Sequence, residues 1–206
     1  TIEYWVYHTI THPVAIPAGP GNHDTSSTNY WSFGFDDTNS VTLYYWGFGQ
    51  TFITHASTFP PNNWSNLALP SVPNGANSDV SIYVNGTRQN TTVTGKLTLP
   101  SAQTQTITNG IVSTGTSFAM GQYGSSTHLW NNTYMDNLRV SNTARYTGAS
   151  YELATEPFTS DANTQLLMIC DGPNGSTTFT DSSGFSRTIT NFNNLVTVSD
   201  ARNNHS

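Results

Sequence analysis

Charge is what this sequence has least of: Lys, Arg, Asp and Glu together supply 9% of its 206 residues, and Lys96 is the sole lysine. Gripping phosphate takes clustered cations, so this composition, with its formal net charge of −6, excludes a nucleic-acid partner. Cys170 is the single cysteine and cannot form an internal disulfide. It lies in the apolar run LLMICD, where a buried, inert thiol is expected. No apolar stretch approaches the length of a membrane span, so membrane insertion is not expected. No window of a dozen residues carries helical periodicity with caps, beyond a short turn around residues 141–146.

Catalytic signatures are also scarce. There is no G-x-S-x-G elbow for a nucleophile. The histidines, His8, His12, His23, His55, His128 and His205, show no H-x-x-x-H or H-E-x-x-H spacing on a helix, so a zinc site is not expected. Six Asn-x-Ser/Thr sequons occur, but in a chain this rich in Asn, Ser and Thr that number arises by chance.

What is present is aromatic content of 12% and a recurrent alternation of apolar and polar residues, the mark of strands with one buried face. Ile2, Tyr4 and Val6 share a face, as do Val41, Leu43 and Tyr45, then Val80, Ile82 and Val84, and then Leu138 and Val140. Breakers separate these runs at residues 17–21, 36–40, 60–63, 73–77, 85–86 and 121–126. Asn85-Gly86 is the strongest hairpin signal, because both residues tolerate the positive φ of a type I′ turn. Many short strands with a turn every ten residues or so predict one all-β domain, a sandwich or jelly roll.

The stretch YMDNLRVSNTARYTGASYELATEPFTSDANTQLLMICDG, residues 134–172, has an order and spacing too specific for generic β sequence. Together with TIEYWVY at 1–7, NNWSNLAL around Trp64 and VSIYVNGT at 80–87, it resembles the laminin G-like domains of the concanavalin A-like lectin/glucanase superfamily. Within that superfamily, DNLRVSNTARYT followed by PFTSDANTQLLM and FTDSSG is most similar to domains of phage virion proteins and other large extracellular bacterial proteins. The resemblance implies a concanavalin A-like jelly-roll sandwich of two antiparallel sheets. Residues 1–160 would form the laminin G-like sandwich. Residues 161–206 would add C-terminal strands that close the same domain or pair with a neighbouring subunit or repeat, because an incomplete sheet edge recruits strands.

Glucanases of this superfamily carry two glutamates and an aspartate at alternating positions of one strand, and retaining hydrolysis needs two carboxyls about 5 Å apart. Here Glu3, Glu152 and Glu156 are the only glutamates, and none belongs to an E-x-D-x-E pattern, so no catalytic residue is expected. The resemblance makes Glu3 structural, gives Asp136 the role of accepting backbone hydrogen bonds where its strand begins, and assigns Arg145 and Tyr146 to packing, with the guanidinium laid on aromatic and carbonyl groups. Related folds often bind calcium in end loops. The FDDTNS loop offers Asp36, Asp37 and Asn39 as hard oxygen ligands, although such residues are also ordinary turn formers.

Sugar rings stack their C–H faces on flat aromatic side chains while amides and carboxylates bind the hydroxyls. Two segments fit. YYWGFGQ supplies Trp46, and GQYGSSTHLWNNTY supplies Tyr123, His128, Trp130 and Asn131 as glycan-binding candidates. Trp5 and Trp64, inside strand patterns, are expected in the core. The expected function is a non-enzymatic structural or adhesion module of a virion or extracellular assembly, at the virion or cell surface. Its expected partners are copies of itself, other virion or surface proteins, and glycans. The alternative is a soluble carbohydrate-binding lectin domain with a defined glycan pocket.

Overall fold

The structure, a computed structural model, describes residues 1–9, 15–20, 31–35, 40–45, 50–54, 60–95, 99–102, 104–107, 118–120, 122–123, 128–129, 133–191 and 196–198. The protein is all-β, and its sheets are antiparallel. In chain order the strands are β1 (Ile2–His8), β2 (Ala15–Pro20), β3 (Trp31–Phe35), β4 (Val41–Tyr45), β5 (Gln50–Thr54) and β6 (Trp64–Leu69). They continue as β7 (Ser71–Asn74), β8 (Asn77–Val80), β9 (Tyr83–Val84), β10 (Thr87–Arg88), β11 (Thr91–Gly95) and β12 (Leu99–Ala102). The last are β13 (Gln105–Ile107), β14 (Phe118–Met120), β15 (Gln122–Tyr123), β16 (His128–Leu129), β17 (Thr133–Ser141) and β18 (Thr164–Met168).

A six-stranded sheet runs β10-β9-β6-β1-β17-β18, and a seven-stranded sheet runs β12-β11-β5-β4-β3-β2-β14. Smaller sheets, β13-β8-β7 and β15-β16, accompany them. The two large sheets share one core. Ile2, Tyr4 and Val6 of β1, Leu67 and Leu69 of β6, and Leu138, Leu166 and Met168 of β17 and β18 pack with Phe33, Val41 and Leu43 of the other sheet. The Tyr4 ring stands edge-on to Phe33 at 5.9 Å, and its hydroxyl donates to the Phe33 carbonyl at 3.2 Å. Each large apolar side chain sealed in this layer stabilises the fold by about 1.5–3 kcal/mol.

Local signals explain the turns. Asn85 and Gly86 take φ of 47° and 76° and join β9 to β10, as the Asn-Gly pair predicts. Residues 17–20, expected as a breaker, instead belong to β2. The register of β2 on β3 shifts between Ala15 and Ala18, and that irregularity accommodates Pro17, which has no N–H for the ladder. Pro73 is tolerated because β7 is the edge of its sheet. Residues 142–146 form bends and coil, not a helical turn.

Both edges of the six-stranded sheet are covered. Along β18, the Leu167 amide donates to Asp181 Oδ1 at 3.0 Å, the Leu167 carbonyl accepts from the Ser182 amide at 2.7 Å, and the Gln165 carbonyl accepts from Arg187. Along the other edge, the Arg88 amide donates to Ala149 at 2.9 Å and the Tyr151 amide to Gly86 at 2.8 Å.

Candidate binding surface

With Ile2, Tyr4 and Val6 turned into the core, alternation sends Glu3, Trp5 and Tyr7 to the outer face of the six-stranded sheet. The register sets three rows across β6, β1 and β17. Glu3 lies between Ala68 and Arg139, Trp5 between Asn66 and Asp136, and Tyr7 between Trp64 and Tyr134. Trp5 and Trp64 are therefore half-buried on the outer face and not in the core as expected.

The Glu3 end is sealed by the segment that follows β17. The Glu3 carboxylate has no solvent exposure. Arg139 Nε donates to it at 2.8 Å, Arg145 Nε lies 3.7 Å away, and the Tyr146 hydroxyl donates to its other oxygen. Arg145 also forks onto Asp161 at 2.9 and 2.7 Å and reaches Ser141 Oγ at 2.6 Å. It is thus an ion-pairing group and not, as expected, one laid on an aromatic ring. That position over a ring belongs to Arg139, whose guanidinium sits 4.3 Å from the Phe158 centroid.

Burial, reinforced by the Glu3 charge, pushes the Tyr146 phenol up. The Arg145 hydrogen bonds hold the exposed Asp161 carboxyl well below the usual carboxylate range. Tyr146 stacks on Tyr151 at 3.6 Å and 10°, and the Tyr151 hydroxyl donates to Asn66. A carboxylate enclosed by two guanidiniums and a phenol has no path to substrate. It fixes the 142–163 segment to the sheet. Asp136 accepts from the Asn137 side-chain amide at 2.9 Å, and Glu152 and Glu156 are exposed.

The Tyr7 end is different. Tyr7 meets Trp64 at 5.7 Å and 47° and Tyr134 at 6.0 Å and 60°, so three rings run side by side across three strands. Tyr134 is 40% exposed, and Tyr7 and Trp64 are half-buried. Beside them the turn before β6 presents exposed Asn62 and Asn63, with the Asn62 amide donating to the His8 carbonyl at 2.7 Å. Sequence reasoning missed this row. Its signal was Trp5 and Tyr7 in TIEYWVYH, aromatic residues at odd-numbered positions where a solvated face is ordinarily polar.

Of the glycan-binding candidates, Tyr123 and His128 are brought directly opposite each other in the β15-β16 ribbon, which lies against β2. Trp130, Asn131 and Trp46 lie outside the described residues, as do the calcium candidates Asp36, Asp37 and Asn39. Among the described residues no three His, Cys, Asp or Glu side chains are grouped to hold a metal ion. Cys170, at φ 68°, lines a cleft of about 250 Å³ formed by residues 168–172, 178–180, Ser182 and Thr197. Burial, helped by the charges of Asp136 and Asp171, pushes its thiol up to about 12, which makes it a poor nucleophile.

The described arginines are all engaged by groups of the chain itself. Arg139 and Arg145 serve Glu3, Arg187 lies 3.9 Å from Asp181, and Arg88 bonds the Tyr83 hydroxyl at 2.9 Å and the Thr147 carbonyl. Among the described residues, the Tyr7 end presents aromatic rings beside the exposed Asn62 and Asn63. In comparisons with known proteins, no family model, curated protein or solved structure matches the chain.

Proposed function

We propose that this chain is a non-enzymatic structural or adhesion module of a virion or extracellular assembly, a component of a decoration, fibre or surface filament that also binds glycan. The observation that carries this role is the division of the outer sheet face. Among the described residues, Glu3 and Arg139 are paired beneath the 142–163 segment, while the other end of the face carries the aromatic row Trp64, Tyr7 and Tyr134. The phage-like wording of residues 134–184 and the scarcity of charge support the same role. The test is location and assembly state. Antibody labelling is expected on native particles or filaments, with self-association at high concentration. A protein that stays monomeric and never appears on particles or filaments would sink the proposal.

A soluble lectin is the second reading, favoured by the pairing of Tyr123 opposite His128. It expects glycan-dependent quenching of tryptophan fluorescence, abolished by Trp130→Ala, and an array with no polysaccharide bound would remove it. Calcium at Asp36, Asp37 and Asn39 belongs to either case. A cation that binds only the folded protein raises the melting temperature. Equal melting in calcium and in chelator would remove the ion.

A further inference from the structure

The geometry points to the row Trp64–Tyr7–Tyr134 as a binding site for a single, soluble, uncharged polysaccharide chain. This deepens the glycan-binding part of the proposed function and rests on it. Adjacent ring centroids are 5.7 and 6.0 Å apart, a spacing comparable to the length of one hexopyranose unit, so consecutive sugars can meet consecutive rings. Aromatic rings supply large, rigid contact area with a polar tip, which suits a ligand with apolar faces and hydroxyl rims.

Ring tilt narrows the ligand class. Neighbouring planes are inclined by 47° and 60°, following strands of a twisted sheet, so the rings do not form the flat platform that a crystalline polysaccharide surface needs. A free chain can twist to present successive faces. Charge narrows the class again. A sulfated or carboxylated glycan needs cations, yet the described arginines are engaged with Glu3, Asp161, Asp181, Tyr83 and Thr147, and the chain carries −6. Asn62 and Asn63, in the turn before β6, are exposed; Asn63 Nδ2 donates to the Pro61 carbonyl at 3.2 Å, which leaves its Oδ1 and the Asn62 side-chain amide to meet neutral hydroxyls.

Affinity electrophoresis through gels containing mixed-linkage β-glucan, xylan, galactomannan or heparin tests the assignment, with sedimentation onto crystalline cellulose run in parallel. The intact chain is expected to be retarded by at least one of the three neutral polymers, to ignore heparin and to stay in solution over cellulose. Trp64→Ala and Tyr134→Ala are each expected to weaken retardation about tenfold, the ordinary cost of removing one aromatic contact that carries binding energy. Tyr134 is exposed enough that its variant keeps its melting temperature, so it carries the test if Trp64→Ala unfolds.

Retardation unchanged in both variants but lost in Trp130→Ala would overturn this placement and leave glycan binding standing. Retention on heparin alone, or a dimer that Tyr134→Ala dissolves without any glycan, would assign the row to another partner and overturn it. No retardation of the intact protein would remove glycan binding altogether, while the assembly role would still be decided by particle labelling.

Discussion

Arg139 and Glu3 sit in paired register on neighbouring strands, with Nε and Oε1 2.8 Å apart and the carboxylate wholly shielded from water. Removing the acid leaves Arg139, only slightly exposed, without its counter-charge, and leaves Arg145 with Asp161 alone. Glu3→Gln is expected to destabilise the fold by about 3 kcal/mol, the lower end for breaking a buried pair from one side. The urea unfolding midpoint measures it, and an unchanged midpoint would contradict the anchoring role.

Asp181 ties the C-terminal segment to β18. Burial raises its pKa, but the amides of Arg187, Leu167 and Ser183 and the Ser183 hydroxyl together outweigh this, and the carboxyl stays below its ordinary value. A depressed folded value contributes stability that is present above the unfolded value of about 3.9 and is lost as pH falls through the folded one. Asp181→Asn is expected to cost about 1–3 kcal/mol at neutral pH and to flatten the acid limb of stability. Melting curves from pH 7 down to pH 2 read both effects, and parallel curves for the two proteins would refute the linkage.

Gly86 and Gly75 both occupy left-handed backbone, at φ 76° and 61°, but their surroundings differ. A Cβ at Gly86 would lie 2.4 Å from the Tyr151 carbonyl oxygen, whereas one at Gly75 meets nothing within 4 Å. Gly75→Ala is expected to cost only the conformational term, about 1–2 kcal/mol. Gly86→Ala should cost clearly more and loosen the 149–151 segment, visible as faster hydrogen exchange at the Arg88 and Tyr151 amides. Equal costs at the two sites would show that the segment yields freely.

The Cys170 thiol, pushed up to about 12 by burial, should react slowly with maleimide at pH 8 in the native protein and rapidly in denaturant. Mass spectrometry at timed intervals checks this, and complete labelling of the native protein within minutes would show the side chain to be open.

The alternation of β1 and of residues 80–84 was readable because each strand keeps one phase, and Ile2, Tyr4, Val6, Val80, Ile82 and Val84 all reach the core. In β17 the phase changes. Met135 packs inward, Asn137 at φ 49° interrupts the ladder, and Leu138 and Val140 then take the inward positions. A bulge of this kind exchanges the faces of everything beyond it, and period-two counting from either end cannot locate it. The outward placement of Trp5 and Trp64 escaped for a related reason. Alternation sorts residues into two faces without saying which stretch of the outer one another segment will cover. The Glu3 cluster joins residues far apart in the chain, beyond the reach of local patterns. The pairing of Tyr123 with His128 was legible only as shared membership of one segment.

The covered margins of the six-stranded sheet bear on how such molecules can join. With Leu167 and Gln165 already bonded to the 181–187 stretch on one side, and Gly86 and Arg88 to residues 149–151 on the other, a foreign strand finds these peptide groups occupied. Growth by continuous hydrogen-bonded stacking, the route by which amyloid extends, is obstructed at these positions. Along this sheet, units of a filament would be mortared through side chains, face against face, and would come apart there into folded subunits.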